Sequence, residues 1–516
     1  MLLSDVLQGV DVRGVSGDLS GAVRSVCYDS RQCAPGSLFV AVPGLKFDGH
    51  RFIGEAISRG ARFVVHEREF MPPPDVTAVR VDDCRRALGL LGRNFFGDPS
   101  GSLCLIGIVG TNGKTTITYL LESILEAAGD RPGILGTVNY RFGSRVWPAP
   151  NTTPESLEMQ RILRVMLDAG ATHVVGEISS HALDLKRADD CDFDLGVFTN
   201  LSQDHLDYHG TMEAYFAAKS RMFLEILPGS RKGRAIRAIM NADDPWGRRL
   251  LARTAVMTLS YGLETPADVS ARNVILNLDG IEAEVRGPGI STTLRSSLIG
   301  RFNLYNILAA AAAAAALGIP ETAIRDGVER LRNVPGRLEK VEGGKDDPRV
   351  FVDYAHTEDA LRRVLENLAM FRRGRIITVF GCGGDRDRGK RPLMGRAAVE
   401  GSSVAIITSD NPRTEDPLEI IREIEAGVVG LQVRRIRSGE LDEAAGKTGR
   451  PVYLVVPDRK TAIEQAIRSS GPDDIVLIAG KGHEDYQIIG ESRTPFDDRR
   501  VARAVLSGGR NGEEAR

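Results

Sequence analysis

The sequence predicts an α/β protein of three domains built around a central, mostly parallel sheet. Three observations predict it. The chain has 516 residues, room for about three domains at ~150 residues each. Short apolar runs alternate with helical periodicity along most of its length, the pattern of parallel strands joined by helices. One of these runs leads directly into a glycine-rich turn that opens a helix.

Taken in order, residues 1–99 form an N-terminal α/β domain, with strands expected at Ser37–Pro43 and Ala61–His66 and a turn-rich close at Gly97–Gly101. Residues 100–335 form the central, P-loop-type domain. Its strands are expected at Leu103–Val109, His173–Ile178, Leu195–Thr199 and Ala235–Met240. Helical patterns run over Thr115–Ala128, Thr211–Leu227 and Asn303–Leu317; the last contains eight consecutive alanines, Ala309–Ala316, good helix formers that permit close packing. After Val334–Arg337, residues 336–516 alternate again, with apolar runs at Val350–Val352, Ile376–Phe380, Val404–Thr408, Val452–Val456 and Ile475–Ala479. That is the pattern of a Rossmann-like, doubly wound sheet. The polar, glycine-rich tail Ser507–Arg516 is expected to be unstructured.

Composition excludes several classes. Lys plus Arg number 67 against 69 Asp plus Glu, a net charge of −2, which argues against a protein that coats nucleic acid or an anionic membrane. No stretch approaches the ~20 apolar residues of a membrane span. The N-terminus lacks a basic segment followed by a long apolar core, so no signal peptide is expected. The six cysteines are scattered, without a CxxC pair or paired metal-ligand spacing; a soluble protein of the reducing cytoplasm fits best.

The chemistry begins at Gly110-Thr111-Asn112-Gly113-Lys114-Thr115-Thr116. Glycines let backbone N–H groups close on phosphate oxygens, and the helix start adds positive potential. Lys114 would reach the terminal phosphates and the Thr115 hydroxyl would bind Mg²⁺. Ile108 stands where the strict GxxxxGK[ST] pattern wants glycine, so the loop is a variant. Glu177, at the end of the next strand, is placed to hold Mg²⁺; read alone, it serves equally as a surface acid beside the N-cap residues Ser179 and Ser180. Asn200–His209 sets Asp204, His205, Asp207 and His209 at another strand end, where His205 is a candidate cation ligand or a hydrogen-bonded structural histidine. Lys219, taken by itself, reads as a solvated surface lysine.

Together these segments resemble the Mur ligases of bacterial cell-wall synthesis. The resemblance rests on the Gly110–Thr116 loop, Glu177–His181, Asn200–His209, Lys219, Phe302–Asn306, Pro335–Arg337 and Asp353–Thr357, and spans all three blocks in order. It implies ATP-driven amide synthesis: a substrate carboxylate attacks the γ-phosphate, and an amine then displaces phosphate from the acyl phosphate. It implies that Lys114, Glu177, His205, Lys219 and Arg337 are catalytic, that Thr115, Glu177, His205 and a CO₂-carbamylated Lys219 position Mg²⁺, and that Asn303, Arg337 and Asp353 join the loop in contacting ATP.

Within the family, Asp29–Arg31 with Gly36–Val42, Asn151–Pro154 and Asp410–Pro417 resemble the subgroup that adds meso-diaminopimelate to UDP-N-acetylmuramoyl-L-alanyl-D-glutamate. The resemblance implies a UDP-substrate domain at 1–99, an ATP domain at 100–335 and an amino-acid domain at 336–516. Tyr28, Ser30, Leu45, Lys46 and Phe47 would line the UDP end; Asn151, Thr152, Thr153, Ser179 and Arg187 would hold the muramoyl-dipeptide. Leu185 stands where the family often has Gln, and an aliphatic side chain cannot supply that hydrogen bond. For diaminopimelate, Arg413 would grip the distal carboxylate with its bidentate fork. Asp410 and Glu484 would accept from the ammonium, Arg386 would bind the other carboxylate, and Asn411, Pro412 and Gly480 complete the site. The implied partners are small molecules, with no nucleic acid and no membrane span, and a monomeric chain. Three other readings are weighed against it: the same machinery with another acceptor, with Asp410–Arg413 disfavouring L-lysine; a P-loop ATPase or kinase with no amine site; and a catalytically inactive scaffold, disfavoured because no expected phosphate or metal position is substituted.

Overall fold

The apolar runs become strands because they are buried on both faces, as a sheet covered by helices requires. Cys104–Val109, Leu195–Phe198, Ile376–Phe380, Val404–Ile407 and Ile475–Ala479 are buried at every position. The computed structural model describes residues 1–44, 47–233, 235–441 and 450–508. The contacts divide it into two compact units. One comprises Met1–Asn273, Ala283–Leu294 and Tyr305–Arg330; the other Val274–Glu282, Arg295–Leu304 and Leu331–Arg516.

The first unit opens with a five-stranded sheet, in the order Val12–Ser16, Thr77–Val81, Ala61–His66, Ser37–Val40, Ser25–Cys27, parallel apart from the first strand. The central sheet sets Cys104–Val109 between His173–Glu177 and Leu195–Phe198, all parallel. Pro132–Leu135 extends it on one side, and Arg237–Asn241 and Met257–Gly262 on the other. The carboxyl ends of neighbouring strands therefore come to one edge, and the loops that leave it carry the candidate site. The helix Lys114–Ala127 follows the glycine-rich turn directly. Helix Arg301–Ala316 contains the alanine run; Ala309–Ala314 are wholly buried, so the small side chains serve packing.

The second unit holds a seven-stranded sheet. Its order is Glu339–Val341, Arg349–Asp353, Ile475–Ala479, Ile376–Phe380, Val404–Ile407, Val452–Val455, Arg434–Arg435, and only the first strand is antiparallel. A small hairpin, Tyr486–Ile489 with Ser492–Pro495, follows.

Three expectations change. The Thr211–Leu227 pattern forms a helix over Met212–Arg221 and then widens into π-helical turns at Met222–Ile226. The expected loose tail is helical through Gly508, and the rest of it lies outside the described residues. Strands Val269–Asn277, Gly280–Gly287 and Ile290–Ser296 were not read from the sequence. Val269–Asn277 is largely exposed, so no apolar stripe announces it. Among the described residues no helix is long and apolar enough to cross a membrane.

Candidate active site

The phosphate-type loop is held from one side by the segment after Leu195–Phe198. Thr111 N donates to Asn200 O (2.9 Å) and Asn112 N to Asn200 Oδ1 (3.0 Å), while Thr199 Oγ1 donates to Asn112 O (2.6 Å). Gly113 has φ +90°, and a Cβ there would run into Asn306 Oδ1, so this position requires glycine. Lys114 folds back onto its own loop, Nζ donating to Gly110 O (2.9 Å) and Thr111 O (2.8 Å). Ile108 is a buried strand residue; the loop closes without the glycine of the strict pattern.

Lys219 corrects the surface reading: it is 2% exposed. Its Nζ donates to the same Gly110 carbonyl at 2.8 Å and lies 4.5 Å over the Tyr215 ring. Burial first, and then the Lys114 charge, hold its ammonium well below the usual lysine range. The helical period could not reveal this, because Lys219 lies on a helix buried at Tyr215, Phe216, Ala218 and Ser220 together.

Glu177 corrects the other bland alternative, since it is only 2% exposed. Its carboxylate accepts from Thr115 Oγ1 (3.0 Å), Thr137 N (2.9 Å) and Thr137 Oγ1 (3.0 Å). A hydroxyl and a carboxylate this close are hard oxygen donors, a set that fits Mg²⁺ completed by phosphate oxygens and water. Among the described residues no group of three or more His, Cys, Asp or Glu could hold a metal ion unaided. His205 has φ +53°, an uncommon conformation outside glycine. Its ring packs edge-on against His181 at 4.9 Å. Burial first lowers its pKa to about 4, with Asp204 opposing, so the neutral imidazole keeps a lone pair to offer.

The Asn151–Thr153 loop is stitched to the same strand end. Thr153 Oγ1 donates to Glu177 O (2.8 Å) and accepts from Ser179 N (3.0 Å), and Thr152 Oγ1 lies 3.1 Å from Thr137 Oγ1. Arg187 Nη1 donates to Thr153 O (3.2 Å), and its guanidinium pairs with Glu155. Asn151 O accepts from Tyr140 OH. Ser30 Oγ donates to Glu55 Oε2 (2.9 Å). Burial, and next Glu155, raise the Tyr28 phenol. Phe47 is 68% exposed, and Leu45 and Lys46 lie outside the described residues.

In the second unit, buried Asp353 accepts from Leu338 N (2.6 Å) and Ala355 N (2.8 Å). The Arg337 guanidinium lies 5.0 Å over the Tyr354 ring. Asn303, 1% exposed, donates to Ile299 O at 2.9 Å.

The Asp410–Arg413 segment and Gly480–Glu484 converge in that unit. Asn411 Nδ2 donates to Glu484 Oε2 (2.9 Å). Gly480 has φ +114°, and a Cβ there would come within 2.6 Å of Asp410 Oδ2. Arg413 has φ +53°; its Nη1 donates to Gly384 O (2.6 Å) and its backbone N to Ile488 O (3.1 Å). Gly384 N donates back to Asn411 O (2.9 Å), and Glu415 N donates to Pro412 O (3.1 Å). Arg386 follows in the same loop and is exposed. Burial, and next Asp410, raise the Glu484 carboxyl. Two residues went unread in the sequence. Thr137, after the strand Pro132–Leu135, lacked any motif. Lys481 stood between two glycines, the one signal available for it.

Residues 22–96 match the family described as Mur ligase family, catalytic domain. Residues 108–314 match the Mur ligase middle domain, and 336–482 the Mur ligase, glutamate ligase domain. A Geobacter sulfurreducens protein described as UDP-N-acetylmuramoyl-L-alanyl-D-glutamate--2,6-diaminopimelate ligase is 47% identical over 514 residues, covering 99% of this chain and 100% of its own. A Geobacillus thermodenitrificans protein of the same description is 44% identical, covering 93% and 94%. A solved structure of a protein so described has a TM-score of 0.69 at 31% identity, covering 99% of both chains. The MurF ligase from Thermotoga maritima in complex with ADP has a TM-score of 0.59 at 21% identity, covering 96% and 98%, a likeness of fold. The expected α/β architecture and the resemblance drawn from scattered motifs thus agree with full-length similarity, and the chain belongs to the Mur ligase family.

Proposed function

We infer that this chain is an ATP-dependent ligase that joins meso-2,6-diaminopimelate to UDP-N-acetylmuramoyl-L-alanyl-D-glutamate, releasing ADP and phosphate, in peptidoglycan precursor synthesis. The observation that carries this reading is the 47% identity, over essentially the whole of both chains, to a protein described by that activity. The reaction matches cytoplasmic small-molecule substrates, and we take the chain to act as a monomer.

The substrate's free D-glutamate carboxylate attacks the γ-phosphorus of ATP, and ADP leaves. The amine of diaminopimelate attacks the resulting acyl phosphate, and phosphate departs from the tetrahedral intermediate. Two anions must meet in the first step, so cations must offset their repulsion. Lys114 releases its two loop carbonyls to take up phosphate oxygens, which the backbone N–H groups of Gly110–Thr116 surround. Thr115 and Glu177 hold Mg²⁺ and His205 a second ion; bound there, Mg²⁺ supplies charge neutralisation to the phosphates. Lys219, whose protonated form burial disfavours, adds to CO₂ through Nζ; the ammonium sheds two protons in becoming an anionic carbamate. Asn303, Arg337 and Asp353 would add contacts to the nucleotide, as the family resemblance implies. Tyr28, Ser30 and the Leu45–Phe47 segment take the UDP end, and Asn151, Thr152, Thr153, Ser179 and Arg187 the muramoyl-dipeptide. Arg386 and Arg413 take the two carboxylates of diaminopimelate, within the frame of Asn411, Pro412 and Gly480, while Asp410 and Glu484 accept its distal ammonium.

The test is ADP release with ATP, Mg²⁺ and the UDP-dipeptide, offering meso-diaminopimelate or L-lysine in parallel, with the product weighed by mass spectrometry. Turnover with diaminopimelate alone supports the reading. Turnover with lysine keeps the ligase and sinks the specificity. ADP release indifferent to either amine makes the chain an ATPase.

A further inference from the structure

Lys481 is 0% exposed, an expensive place for an ammonium unless it is paired and hydrogen-bonded. The local backbone puts it there. The strand Ile475–Ala479 ends in Gly480-Lys481-Gly482, and both glycines take positive φ, +114° and +55°. At Gly482 a Cβ would press on Tyr354 at 2.6 Å. Only a chain without those side chains can turn so tightly and drive the lysine inward.

Its partners are polar atoms of the amino-acid site. Nζ donates to Asn411 Oδ1 and to Tyr486 O, both at 2.8 Å. It pairs with Asp410 Oδ1 at 3.4 Å and with Glu484 Oε2 at 3.5 Å. Asn411 Oδ1 also accepts from Ile488 N at 3.0 Å. Two donors on the amide oxygen fix the flip of the Asn411 side chain, leaving Nδ2 to donate to Glu484 Oε2. Lys481 therefore sets the polarity of Asn411, and Asn411 orients Glu484, whose side chain is 17% exposed. The charge count is equally pointed. Two carboxylates face one ammonium, and the neighbouring Arg459–Asp498 pair, both wholly buried at 2.7 Å, is neutral. Counted over Lys481, Asp410 and Glu484 alone, one formal negative charge remains over.

We propose that Lys481 is a positioning residue for the amino-acid substrate: it orients Asn411 and Glu484 and trims the cluster to a single surplus negative charge, matched to one ammonium of a zwitterionic end. This deepens the ligase reading and rests on it. The test is Lys481→Met in the full-length protein. The KM for diaminopimelate should rise roughly ten- to a hundredfold, the loss expected for charge-assisted contacts. kcat at saturating amine should fall by less, and the KM values for ATP and the UDP-dipeptide should stay within about twofold. An unchanged diaminopimelate KM overturns the proposal. So does a parallel rise in all three KM values with a lowered Tm, the signature of a merely structural lysine. If the Met variant is insoluble, Lys481→Arg serves. It keeps the charge but spreads the donors over a planar fork, so the same selective rise is expected and wild-type kinetics overturn the proposal. A wild-type protein that never uses diaminopimelate would sink the ligase reading and this inference together; an active wild type with an unaffected variant sinks this inference alone.

Discussion

At the scale of single residues, burial decides the chemistry. Lys219 and Lys114 both donate to the Gly110 carbonyl, so two amine side chains converge on the loop where phosphate is expected. Arg413 is the sharpest residue-level test of the amino-acid site. Arg413→Ala should raise the KM for diaminopimelate by roughly 10²-fold, the scale of a lost bidentate ion pair, with ATP affinity nearly intact; steady-state kinetics with each substrate varied in turn will separate the two. Equal losses for both would remove Arg413 from that site. Asp190 lies away from the chemistry and makes a stability prediction. Burial, and next Asp189, raise its carboxyl from 3.8 to about 6, and its Oδ2 is buried without a hydrogen bond. Between those values the native state binds the extra proton, so the contribution of Asp190 to stability falls as pH rises through that window. Asp190→Asn should therefore stabilise the protein by roughly 1–3 kcal/mol at pH 7–8, with little gain near pH 4. Thermal melts across the range will show whether the gain grows with pH.

At the scale of elements, helices and strands were legible where one face differs from the other. The loop Gly110–Thr116 announced itself because a buried strand, two glycines and a helix start follow in fixed order. The alanine run of Arg301–Ala316 is a packing device, six of its side chains being wholly buried. Ala311→Leu should cost about 1–3 kcal/mol by overpacking, lowering Tm without changing the KM for ATP. A neutral effect would mean that the helix has room around it. The largely exposed strand Val269–Asn277 and the π-helical turns at Met222–Ile226 were not legible. Neither carries an apolar stripe of its own period; pairing with neighbours and packing select them.

At the scale of the whole molecule, the three larger sheets each gather loops at strand ends, and catalysis needs water kept from the acyl phosphate. With ATP and the UDP-dipeptide but no amine, ADP release should run roughly 100-fold below full turnover, because hydrolysis is the only exit. Removing divalent cations with EDTA should abolish turnover, and Mg²⁺ should restore it, since the Thr115–Glu177 pair is built of hard oxygen donors. Rapid-quench ADP assays check the first, and add-back the second.

Order and spacing along the chain were enough for the α/β class and the family, because these show in local apolar runs and in the order of short motifs. Contacts distant in sequence had to come from the fold. Lys219 reads as a surface lysine until the helix that carries it is buried. Glu177 gains its partner Thr137 from 40 residues away. Lys481 meets Asn411 across 70 residues. A side chain's charge and hydrogen-bond partners depend on which distant strand ends close around it. Local pattern names the groups, and three-dimensional packing sets how much water they keep and hence what they can do.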